Sequence, residues 1–145
     1  MSADDQYSIR LCDWAQDAAA LRRVRRDVFI VEQQIPENLE WDDADAASLH
    51  ALAEDETGKP IGCGRLLADG HVGRLAVVRS WRGRGVGAAL LERLVDQARR
   101  RGHLRVVLNA QTQAMPFYAR CGFEPCGSEF EEAGIPHRKM SRSLA

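Results

Sequence analysis

The chain has 145 residues, enough for one substantial hydrophobic core and too few for two, so a single domain over 1–145 is expected. Its 45% apolar and 28% charged residues are ordinary for a globular domain, and 20 basic against 21 acidic side chains leave a net charge of -1 that demands no nucleic acid. The opening MSADDQYSIR is polar and acidic and no apolar run approaches the ~20 residues of a membrane helix, so a cytoplasmic protein without a membrane partner is expected. Cys12, Cys63, Cys121 and Cys126 show neither CxxC pairs nor a histidine at zinc-ligand spacing. They are expected to be buried thiols, with no metal.

In chain order, Tyr7 to Cys12 alternates apolar and polar residues as a strand does. From Asp17 to Gln33, Leu21, Val24, Val28 and Val31 recur at helical spacing, with Arg22, Arg23, Arg25 and Arg26 on the other, solvated faces. This is an amphipathic helix, whole or broken in two; Pro36 ends it, and Glu37 to Ala46 reads as an acidic loop. Ser48 to Ala53 and Ile61 to Leu67 form a hairpin around Gly58 and Pro60, and His71 to Val78 adds a third strand. Val86, Leu90, Leu94 and Ala98 line one face of a helix that ends in arginines and Gly102, as helix ends favour. Leu104 to Asn109 follows as a strand, which makes strand, turn, helix, strand: a parallel crossover in a mixed sheet. A short helix around Pro116 to Cys121 and two strands, Phe123 to Phe130 and His137 to Ser141, close the chain.

The most informative stretch is RSWRGRGVGAALLERL, residues 79–94. Glycines delivering backbone N–H groups to a helix start make an anion site, because those amides lack partners within the helix and its dipole adds positive potential. Arg79, Arg82 and Arg84 add forked donors suited to phosphate oxygens. Gly83 to Ala88 satisfies the dinucleotide pattern G-x-G-x-x-G/A, but that pattern also asks for an acid ~20 residues on. No Asp or Glu lies between Asp96 and Glu124, and no Lys-Ser or Lys-Thr follows the glycines as a Walker turn requires. A nucleotide-cofactor protein is therefore the weaker reading.

The same letters also read Arg82-x-x-Gly85-x-Gly87 after the strand RLAVV. In this form the segment resembles the pyrophosphate loop of the GCN5-related N-acetyltransferases (GNAT), and FYARCGF, Phe117 to Phe123, is similar to that family's FYxxxGF segment. VFIVEQ (Val28 to Gln33), the acids Glu40, Asp42 and Asp45 before His50, AQTQA (Ala110 to Ala114) and GSEFEEAGIPHRKM (Gly127 to Met140) resemble one bacterial branch of it, the ElaA/YjcF-like proteins.

The resemblance implies an α/β fold: a mixed, mostly antiparallel sheet of about seven strands, splayed between strands four and five and flanked by about four helices. It implies acetyl-CoA as cofactor and acetyl transfer to a primary amine by direct attack in a ternary complex. Arg82, Gly83, Arg84, Gly85, Val86 and Gly87 would wrap the pyrophosphate, and the backbone of Leu75, Ala76 and Val77 would pair with the pantetheine arm. Asn109 would meet the arm or the substrate, and Tyr118 would be the general acid.

For the general base, Glu32, Glu40, Asp42, His137 and a water relay all compete, since an alkylammonium must lose a proton before it attacks. The acidic cluster could also draw in the amine, and Gln111 could contribute an amide to its recognition. His50 reads as structural. A coenzyme A sensor without chemistry, and nucleic-acid binding through the Arg22 to Arg26 and Arg99 to Arg101 runs, are the competing readings; the identity of the amine, and whether the chain works as a homodimer, stay open.

Overall fold

The computed structural model describes residues 6–145 as seven strands and four α-helices. Strands β1 (Tyr7–Cys12), β2 (Leu49–Asp55), β3 (Pro60–Leu66) and β4 (Val72–Val77) form one antiparallel sheet in that order. Strands β5 (Arg105–Gln111), β7 (Ile135–Ser143) and β6 (Glu124–Glu132) form a second, in the order β5-β7-β6. Among the described residues the sheets meet through one parallel bridge, His71 to Val107, where the Val107 N–H donates to the Gly70 carbonyl at 3.2 Å. The expected crossover is present, but its strands are paired only at their starts. From there β4 and β5 diverge, and the opening between them is the splay.

Helices cover both faces. Helix α1 (Trp14–Arg25) starts on Asp13, whose side chain accepts from the Gln16 N–H at 2.9 Å. Its Leu21 and Val24 pack with Leu52, Cys63 and Ala76. Helix α3 (Val86–Arg100) sits on the opposite face, with Leu90, Leu94 and Ala98 against Ala51 and Ala53. The strands serve both faces because side chains alternate: Leu52 pairs with Cys63 toward α1, while Ala51 and Ala53 pair with Gly64 and Gly62 toward α3. The glycines let α3 settle close, since a Cβ at either would lie 2.9 Å from a Leu90 or Leu94 methyl.

The helical segment expected over 17–33, whole or broken in two, is broken: α1 ends at Arg25 and the chain continues as a π-helical segment, Arg26–Glu32, closed by the Gln33 N–H donating to the Val28 carbonyl at 3.0 Å. Three other expectations are corrected. The acidic stretch holds a short helix α2 (Glu37–Glu40) and a 3-10 turn (Asp45–Ala47), and two of its carboxylates, Glu40 and Asp45, are buried. Arg25, expected on a solvated face, is 1% exposed. The cause is mutual: Arg25 donates to Glu40 at 2.8 Å and to Asp45 at 2.7 Å, while Arg65 donates to both Asp42 and Asp45 at 2.8–2.9 Å. Trp14 and Trp41 flank the Arg25 guanidinium at 5.5 and 5.1 Å. Of the cysteines, Cys12 and Cys63 are buried, whereas Cys121 is half-buried and Cys126 lies exposed on β6.

Candidate active site

The site grows from the end of β4. Its register against β3 slips between Cys63 and Arg65: two residues, Arg74 and Leu75, stand opposite Gly64, with Arg74 at φ +48°. This is a β-bulge, and it re-aims the strand that follows. Val78 then donates to the Ile61 carbonyl at 2.9 Å, which makes Ile61 and Val78 a hydrogen-bonded pair. By the alternation of an antiparallel ladder the N–H and C=O of Val77 must point away from β3, toward the opening beside β5. Of the three expected pantetheine-pairing residues, the backbone of Ala76 therefore faces β3, Leu75 lies in the bulge and Val77 addresses the opening. A non-glycine residue in the left-handed region gives no local sequence signal, and the bulge was not anticipated.

Just past β4 a 3-10 turn (Arg79–Trp81) leads into the glycine loop and α3. Gly83 at φ +76° and Gly85 at φ +85° occupy the left-handed region that side-chain-bearing residues avoid. Gly85 caps α3 and its carbonyl accepts from Ala89, so the amides of Val86, Gly87 and Ala88 have no carbonyl within the helix to meet. The helix's first turn carries no acid to neutralise them. Arg84 stacks over Trp81 at 4.8 Å. The fork of Arg82 is differently engaged: Nε donates to the Val77 carbonyl at 2.9 Å, and Nη1 and Nη2 reach both Glu32 oxygens at 2.7 Å.

Helix α4 (Met115–Arg120) closes the opening from the α3 side, since Phe117 Cζ would lie 3.4 Å from a Cβ at Gly87. Tyr118 beside it is half-buried between Phe117 and Phe123, ring centroids 5.1 and 6.1 Å away. Burial pushes its phenol up to about 12. Asn109 is exposed on β5, the strand lining the other side of the opening.

Across the second sheet, Gln111, His137 and Phe130 lie in one row. His137 is 7% exposed, stacks on Phe130 at 5.8 Å, and places Nδ1 2.7 Å from the Ile135 carbonyl. A carbonyl only accepts, so that contact assigns a proton to Nδ1, while Nε2 lies 3.6 Å from a Glu132 carboxylate oxygen. Glu132 was not singled out from the sequence; its position directly before the Ala133–Gly134 turn was the available signal.

The remaining acids are held by arginines. The Arg82 hydrogen bonds keep Glu32 below its ordinary pKa. Arg65 draws Asp42 down to about 2. Burial pushes Glu40 up against the pull of Arg74 and Arg25, and the carboxyl is 3% exposed. His50 is buried with Nε2 on the Asp45 carbonyl at 2.9 Å. Gln111 donates to Gln33 at 2.9 Å.

A sheet splayed beside a bulged strand, with a glycine loop and helix start at its mouth, defines an acetyltransferase-type fold, and the acetyltransferase (GNAT) domain model matches residues 15–144. The chain belongs to the GNAT family. It is 39% identical over 123 residues to the uncharacterized N-acetyltransferase YjcF of Bacillus subtilis, covering 82% of this chain and 87% of that one. The crystal structure of Escherichia coli ElaA superposes with a TM-score of 0.83 at 26% identity, covering 95% of this chain and all of that one. An acyl-CoA N-acyltransferase from Pseudomonas aeruginosa superposes at 0.84 and 30% identity with the same coverage. No described helix is long and apolar enough to cross a membrane.

Proposed function

We propose that residues 1–145 form a single acetyltransferase domain that transfers acetyl from acetyl-CoA to a primary amine. The observation that carries this reading is the conjunction at the end of β4: the Val77 amide turned into the splay, five residues before a loop whose glycines and helix start gather unpaired amides. A diphosphate fits the Gly83 to Gly87 amides and Arg84, and an amide-bearing arm fits the Val77 N–H turned toward the opening and the exposed side chain of Asn109. Acetyl-CoA carries both groups, as the name of the Pseudomonas relative implies for its own donor.

The transfer divides among three groups. The Val77 N–H donates to the thioester carbonyl as negative charge develops there. The amine nitrogen forms its bond to the carbonyl carbon, the carbon–sulfur bond breaks, and the surplus ammonium proton passes to His137 Nε2. Tyr118 hydrogen-bonds to the departing sulfur. Handing its proton over outright, from about 12 to a thiolate near 8.5, would be uphill by about 5 kcal/mol, so solvent supplies the thiol's proton.

Glu32, Glu40 and Asp42, held by Arg82, Arg25 and Arg65, serve as structural counter-ions in this reading rather than as bases. Titration calorimetry with acetyl-CoA, followed by a thiol-release screen of amine panels, tests the proposal. Micromolar binding, and turnover that His137→Gln lowers by about 10²-fold while coenzyme affinity holds, are expected. Absence of coenzyme binding, or full turnover in His137→Gln, would overturn the reading or its base respectively.

A further inference from the structure

The π-helical segment ends in two adjacent residues that reach opposite arms of the splay. Glu32 grips Arg82 in a two-pronged pair at 2.7 Å, and Arg82 in turn holds the Val77 carbonyl at the end of β4. Gln33 accepts from Gln111 at 2.9 Å at the end of β5. Both bonds join positions far apart in sequence, 50 and 78 residues. The next residue, Gln34, stands at φ +59°, a strained conformation for a side-chain-bearing residue, before Pro36 redirects the chain. The π segment ends at Glu32 and Gln33 caps it, so that two consecutive side chains there meet two diverging strands.

We propose that this segment is a strap that fixes the width of the slot and thereby limits the acyl group to a short one, with Gln33 and Gln111 as the specificity-determining pair and Glu32 and Arg82 as positioning residues. The inference rests on the coenzyme reading above. Helices α1 and α3 lie on opposite sheet faces, so an arm whose diphosphate sits at the start of α3 and which passes between β4 and β5 emerges on the α1 face, beneath Glu32 and Gln33. The acyl carbons lie at its leading end. A methyl can stop short of the Gln33–Gln111 bond, but a longer chain must separate these half-buried amides and leave them facing hydrocarbon. The strap cannot swing aside as a hinge, because it is tied on both sides. In this arrangement Arg82 is a tether for the loop and not a phosphate ligand, which revises the role expected for its side chain.

The test is calorimetric binding of acetyl-CoA and butyryl-CoA to the full chain and to Gln33→Ala, Gln111→Ala and the double variant, with thermal unfolding of each recorded. The unmodified protein is expected to prefer acetyl-CoA by about tenfold or more, in line with what a methylene costs in a closed pocket. Either single variant should bring the ratio to within about threefold of unity, and the double variant should go no further, because both substitutions remove the same Gln33–Gln111 bond, the Gln113 to Gln111 bond lying outside that pair. Two singles on different elements guard against a folding defect in one. A ratio unchanged in the variants, or effects that simply add, would overturn the strap while leaving the coenzyme reading intact. Failure of the unmodified protein to bind either thioester would overturn the coenzyme reading instead.

Discussion

Tyr118 keeps its proton at every pH the protein will meet, because burial holds the phenol near 12. It therefore contributes a constant hydrogen-bond donor, and the alkaline limb of a pH–rate profile should not report its ionisation below about pH 11. Tyr118→Phe retains the packing against Phe117 and Phe123 and removes only the hydroxyl. The expected result is a kcat lower by about 10²-fold at an unchanged coenzyme dissociation constant, read by steady-state thiol release beside calorimetry. The sequence showed that tyrosine through its neighbours, Gly122 and Phe123, but not its environment. His137 was legible as a histidine after a stiff Gly-Ile-Pro turn; its tautomer was not, since the deciding carbonyl is set by how the β6–β7 hairpin closes.

At the scale of elements, the loop between β4 and α3 separates two kinds of glycine. Gly85 holds φ +85° and an alanine there would be forced into the left-handed region, at a cost of about 1–2 kcal/mol. Gly87 lies within α3, and a Cβ would make ordinary contact with Phe117 at 3.4 Å. Gly85→Ala should lower the melting temperature and weaken acetyl-CoA binding, whereas Gly87→Ala should raise the melting temperature, alanine being favoured by up to about 1 kcal/mol inside a helix. Parallel thermal melts and calorimetry on the two variants check this. The loop was legible because its backbone demands are local. The splay was expected only through the family resemblance, because one bridge at His71 and Val107 followed by divergence leaves no mark on either strand's own pattern.

Across the whole molecule, an ion-pair network of Arg25 and Arg65 with Glu40 and Asp45, all buried, and with the more exposed Asp42 ties α1 and the acidic stretch to β3. Removing one charge strands its partners in the interior. Arg25→Leu should destabilise the fold by about 3–5 kcal/mol in urea unfolding, far beyond what a solvated helical arginine would cost. The same network shapes the acid response. Asp42 titrates near 2 when folded and near 3.9 when unfolded, so its contribution is complete above about pH 4 and is lost as pH falls toward 2.

At the alkaline end Cys63 and Tyr118 both keep their protons to about 12 in the fold, while the unfolded chain releases them near 8.5 and 10. Stability from these groups is therefore full below about pH 8.5 and declines as pH rises toward 12. Urea midpoints from pH 2 to 11 should fall at both ends, and the difference between the unmodified protein and Asp42→Asn should vanish between pH 4 and 2.

By itself the sequence determined what neighbouring residues impose on one another: the order of strands and helices, the apolar stripe of α3, and a turn whose left-handed backbone only glycine adopts at low cost. These are short-range consequences of sterics and periodicity. Only the tertiary structure decided which opposite charges meet. Glu32 finds Arg82 fifty residues away, and Glu40 finds Arg25 inside the protein instead of water. Such pairing depends on distances that the packed sheet and helices create, and a charged residue carries no record in its own neighbourhood of the partner that folding will bring to it.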